Sequence, residues 1–174
     1  MATAAAMRLA ILCGMLCPAL QAQTAPVSAS ILDHLAGDWV LEGTIAGKPA
    51  MHDIEATWML NHEYLRLHEI SRDKNAEGRA AYEAIVLLGW DPKAKKYDCL
   101  WLDTTAGGGL SGEGIGRGSQ QGDSIPFIFV LSASESIHTT FAYDDRQDTW
   151  RWTIDDETNG KLDRFADVRL VKAK

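Results

Sequence analysis

Residues 137–160 read IHTTFAYDDRQDTWRWTIDDETNG, and the period of this stretch decides the fold. Trp150, Trp152 and Ile154 alternate with Thr149, Arg151, Thr153 and Asp155. That period of two is the mark of a half-buried strand, with the apolar set facing inward. Asp144-Asp145 stands before it and Asn159-Gly160 after it, and these are residues that turns demand.

The same punctuation recurs along the chain. Ten strand-like runs follow one another: Asp38–Ala46, Met51–Leu60, Tyr64–Arg72, Ala81–Trp90, Lys96–Thr104, Gly112–Gly118, Ser124–Leu131, Ile137–Asp144, Thr149–Asp155 and Asp163–Val171. No helical run separates them, so the sheet is read as antiparallel and up-and-down. Closure into a barrel removes the exposed edges that so many strands would leave. Ser30 to Gly37 reads as a short helix ahead of the first strand, with Ser30 as its N-cap and Asp33 at the third position.

Leu35-x-Gly37-x-Trp39 resembles the opening of lipocalins and fatty-acid-binding proteins. That resemblance implies that Trp39 plugs one barrel end and that a basic residue of the last strand, here Arg169, lies over its ring. Gly89-Trp90-Asp91-Pro92-x-x-x-Lys96-Tyr97, then Trp101-x-Asp103 and a glycine cluster, resembles a bacterial exported family of unknown function. Its barrel is lipocalin-like, of the calycin type. The resemblance covers residues 32–172 and implies a fold but no reaction.

The chain has 174 residues, 46% of them hydrophobic and 24% charged, which suits one globular domain. Arg8 followed by an apolar stretch from Leu9 to Leu20 reads as a secretory signal peptide over residues 1–22. Residues 23–29 read as a linker and residues 30–174 as the barrel domain. The expected location is periplasmic or secreted. Neither Cys13 nor Cys17 fits a lipidation pattern, and removal of the leader leaves Cys99 alone. Intact-mass measurement on protein from its native host is expected to show a chain starting near Gln23. A full-length chain, or an added diacylglycerol mass, would contradict export by this route.

All 24 acidic residues and all but one of the 17 basic ones lie beyond residue 30, so the barrel domain is strongly acidic. Nucleic acid is therefore excluded as a partner, and no membrane insertion is expected after signal cleavage. Oligomeric state is open.

Strands three and five carry ionisable groups on both faces, so at least one points inward in either register. An interior charge must be paired or neutralised, and such groups gather at cavities. The expected cavity draws on Trp58, Tyr64, His68, Glu69, Glu83, Trp101, Asp103, His138 and Trp152. The alternating glycines of Gly112–Gly118 suggest a bare flank, either a ligand wall or a seat for a neighbouring aromatic ring. No nucleophile elbow, Walker loop or helical metal pair occurs, so no catalytic residue, metal or cofactor is assigned. Asp155-x-Glu157-x-Asn159-Gly160 begins like a calcium loop, but its twelfth position is Ala166, so it reads as a hairpin.

The function read from these features is binding of a small apolar or aromatic molecule by an exported protein. The alternatives are an enzyme using interior Glu/His chemistry on a hydrophobic substrate, a nitrobindin-like haem binder, and a structural protein with a filled core.

Overall fold

The computed structural model describes residues 30–105 and 110–174. Ten antiparallel strands close into one barrel: β1 (Gly37–Ile45), β2 (Lys48–Met59), β3 (Tyr64–Ser71), β4 (Glu83–Asp91), β5 (Lys96–Asp103), β6 (Ile115–Gly118), β7 (Ser124–Val130), β8 (Glu135–Asp144), β9 (Thr149–Thr158) and β10 (Lys161–Lys172). Each strand pairs with its sequence neighbours, and β1 pairs with β10 to close the ring. The turn chemistry sets this path. Asn159 and Gly160 have φ of 52° and 78°, and Ala46 and Gly47 have 49° and 72°. Consecutive positive φ values make the two-residue turns whose twist suits a tight hairpin.

The helix expected over Ser30–Gly37 is a single 3-10 turn, Ile31–His34, and no longer helix occurs among the described residues. Ser30 caps it and Asp33 returns a bond to the Ser30 backbone. Its Leu32 and the following Leu35 are buried under the barrel floor. Trp39 lies beside them and donates from Nε1 to the Leu35 carbonyl at 2.7 Å.

The cation over Trp39 is Lys172, with Nζ 3.8 Å from the ring centroid, and not Arg169. Parity explains the correction. Val168 and Leu170 are buried, so Arg169 between them must face outward. Lys172 lies opposite Trp39 in the β1–β10 register and shares its face. Arg169 instead donates to Thr149 Oγ1 at 3.1 Å and to the Gln147 side-chain oxygen Oε1 on the outer wall.

The glycine strand is shorter than its pattern suggests. Gly112–Gly114 forms a 3-10 turn, which leaves Gly116 and Gly118 as the inward glycines of β6. A Cβ on Gly116 would stand 2.5 Å from the Phe129 ring, and one on Gly118 would stand 2.0 Å from the Pro126 carbonyl oxygen. These glycines seat neighbours and do not wall a cavity.

An up-and-down path puts alternate connections at opposite ends. The 3-10 turn, Trp39, Lys172 and the β2–β3, β4–β5, β6–β7 and β8–β9 connections share one end. Leu65, Leu88, Phe127, Phe141 and Trp150 fill the interior. The β1–β2, β3–β4, β5–β6, β7–β8 and β9–β10 connections share the other end.

Candidate functional site

That second end holds a cavity of about 970 Å³. The walls come from the inward positions nearest it: His52 on β2, Glu69 and Ser71 on β3, Trp101 and Asp103 on β5, Thr139 on β8 and Trp152 on β9. Period two placed them. In β3, Leu65 and Leu67 take the interior, and the same face carries Glu69 and Ser71 inside. In β5, Tyr97 and Cys99 do the same for Trp101 and Asp103.

Two polar groups stand in this apolar setting. His52 Nδ1 and Glu69 Oε1 share a hydrogen bond of 2.5 Å, both residues being buried. They are diagonal neighbours, since His52 lies opposite Ser71 and Glu69 opposite Ile54. Mutual pairing is what allows two ionisable groups to remain in a low-polarity wall. Beside them, the Tyr82 ring stacks on the His52 ring at 5.7 Å. Tyr82 OH donates to Asp103 Oδ2 at 3.4 Å, and Trp101 Nε1 donates to the same oxygen at 3.0 Å. The other carboxylate oxygen accepts from Thr105 N at 2.6 Å and from Thr105 Oγ1 at 2.7 Å. Burial, with Glu69 and Asp103 nearby, pushes the Tyr82 hydroxyl well above its usual range. Tyr82 is therefore a proton-bearing donor at neutral pH.

Aromatic rings form the facing wall. Trp152 stacks on Phe141 at 4.4 Å, and Trp101 stands 5.3 Å from Trp152 and 6.5 Å from Phe129. Trp152 Nε1 donates to Thr139 Oγ1 at 2.7 Å, which fixes the indole. Glu113 and Asp156 stand exposed at the rim. Burial first, then the neighbouring Asp163 and Asp155, raise the Asp156 carboxyl above its ordinary value.

Of the expected cavity residues, Glu69, Trp101, Asp103 and Trp152 meet here, and the others do not. Tyr64 and His68 lie on the outward face of β3, Tyr64 being 46% exposed. His68 Nε2 and Glu83 Oε1 bond at 2.7 Å on that outer surface. His138 is outward between Ile137 and Thr139, and bonds Glu157 at 2.8 Å. Trp58 faces the interior but near the opposite end, where its ring stacks on His62 at 3.9 Å. His68 and His138 thus face away from the cavity that Asp103 lines.

The sequence reading passed over His52 and Tyr82. His52 was legible, for Ile54, Ala56 and Trp58 share its face of β2. Tyr82 was legible as well, for in the run Ala81–Trp90 it shares the parity of Ala84, Val86 and Leu88, which are buried, although β4 itself starts one residue later. Cys99 is fully buried, and burial followed by Asp98 holds its thiol far above the reactive range.

No known protein family matches the chain, and no curated protein does. Among solved structures it is similar to Rv2717c from M. tuberculosis, with a TM-score of 0.52. That likeness covers 84% of this chain and 99% of the other at 14% sequence identity. At such identity the shared property is the fold.

Proposed function

We propose that this barrel is an exported, lipocalin-like binding protein that takes a small, mostly apolar molecule through its open end. One observation carries the reading: a cavity of about 970 Å³ with aromatic walls and one cluster of placed polar groups. Sites for small molecules have this make-up and span roughly 300–1,000 Å³. A core left open over that volume speaks against the filled-core alternative.

Trp101 and Trp152 line the cavity, so an entering ligand displaces water from two indoles. Titration with fatty acids, flat aromatic molecules, amines, alcohols and haem is expected to give a saturable change in tryptophan emission for at least one class. Trp101→Phe should remove a large part of that change, whereas Trp58→Phe, remote from the cavity, should not. If every class leaves the emission unmoved, the binding reading fails.

A second reading has its own support in the His52–Glu69 pair. With Nδ1 bonded to Glu69, His52 Nε2 has no hydrogen-bond partner among the described residues. A histidine oriented by a carboxylate, with its second nitrogen free, is the arrangement of a general base. Glu69→Gln separates the two readings. A binder keeps most of its affinity, whereas an acid–base enzyme loses turnover by roughly 100-fold or more.

A further inference from the structure

The charges around the cavity are one-sided. Its lining includes four carboxylates, Glu69, Asp103, Glu113 and Asp156, and a single histidine, His52. Neither lysine nor arginine is among the described lining residues. The arginines near this end are turned to other partners: Arg72 bonds Asp53, Arg79 bonds Glu77, and Arg164 bonds Asp155 and Asp167. Trp101, Tyr82 and Thr105 extend neutral donors to Asp103. Asp163 lies opposite Asp156 in the β9–β10 register and adds a further negative group beside the rim.

An anionic ligand would have to enter this cavity against that field. A barrel built to hold a carboxylate or phosphate places a guanidinium or ammonium inside, because a desolvated anion needs a charged partner. None lines this cavity among the described residues. The opposite sign suits it on two independent counts. Carboxylates attract a cation more strongly where the surroundings are poor in water. Trp101 and Trp152 also line the cavity, and indole rings add an attractive surface for a cation.

We infer that the ligand is an organic cation, an amine or quaternary ammonium carried on an apolar or aromatic body. The inference rests on the binding reading above and names the ligand class for that same cavity. The apolar body lies against Leu41, Phe129 and Ile154, which line the cavity with the indoles. The charged head lies toward the rim carboxylates Glu113 and Asp156.

Three compounds with one decyl chain test it on the full chain: decyltrimethylammonium, decan-1-ol and decanoate. Each is titrated below its micelle concentration at pH 7, with tryptophan emission as the readout. The expected order is cation, then alcohol, then decanoate, with the cation at least about tenfold tighter than the carboxylate. Decanoate binding as tightly as the ammonium compound would overturn the inference and leave the binding reading standing. If none of the three binds, while an uncharged aromatic molecule does, the cavity is a neutral site and the inference is again wrong. Silence from every compound removes the binding reading itself.

The double variant Glu113→Gln/Asp156→Asn supplies a second arm. Both residues are exposed at the rim, so the fold tolerates the change. The preference for the ammonium compound over decanoate is expected to shrink several-fold. A preference that survives unchanged would overturn the electrostatic account.

Discussion

Gly118→Ala is expected to destabilise the barrel by about 3 kcal/mol or more, the upper part of the range for inserting an atom into packed structure. The added Cβ would stand 2.0 Å from the Pro126 carbonyl oxygen and 2.9 Å from the carbonyl carbon. Both are backbone atoms of β7, so no side chain can swing aside. The collision also falls at a thin seam. β6 has four residues, and its register with β7 consists of Arg117 against Ile128 and Gly118 against Phe127. Pushing β7 away there opens the ring and exposes two unpaired edges. Gly112→Ala is the matched control, since nothing lies within 4 Å of its added Cβ. That variant should melt within about 0.5 kcal/mol of the parent, or slightly above it. Urea melts of the two variants side by side decide the point. Equal midpoints would mean that β6 and β7 are not packed as described.

Trp152→Ala is the other large effect, with an expected loss of about 3–5 kcal/mol. The indole is only 2% exposed and stacks on Phe141. Its removal joins the cavity to the space the ring occupied, and the surrounding strands cannot collapse to refill it. Against a total stability of about 5–15 kcal/mol, this leaves a protein folded at room temperature but melting many degrees lower. On the proposed binding reading, ligand affinity should fall as well, because one of the two indoles lining the cavity is gone. Trp90→Ala provides the comparison. Trp90 is 50% exposed and meets Tyr97 edge-on, so its loss should cost far less. Thermal melts of both variants, followed by titration of the folded proteins, give the two readouts. A Trp152→Ala protein as stable as Trp90→Ala would contradict the packing of the aromatic wall.

The strands were legible because alternation and turn residues are local signals. The third strand shows where local signals stop. Tyr64, Arg66, His68 and Ile70 and the opposite set Leu65, Leu67 and Glu69 both mix polar and apolar residues. What chose between them is a partner 17 positions upstream, His52, which compensates Glu69 on the inner face. Such a pairing appears only once register is known. Lys172 illustrates the same gap at the other end. The resemblance at Trp39 implied a basic residue of the last strand and pointed to Arg169, yet the parity fixed by Val168 and Leu170 sends Arg169 outward and Lys172 in over Trp39. The glycine run misled in another way. A period of two in glycine looks like a strand face, but a residue with no side chain carries no hydrophobic pattern, and Gly112–Gly114 coil into a tight turn instead.

The alternation of connections between the two ends has a consequence for how this scaffold can change. Sealing and stability rest on the 3-10 turn, Trp39 and Lys172, while five connections border the open mouth. Insertions or exchanges in residues 72–82, or at Asn159-Gly160, touch none of the sealing contacts. The two ends therefore answer to separate selective pressures. On the binding reading proposed above, selectivity can change by remodelling the mouth while the floor stays as it is, which makes the barrel a chassis for evolving, or grafting, small-molecule sites.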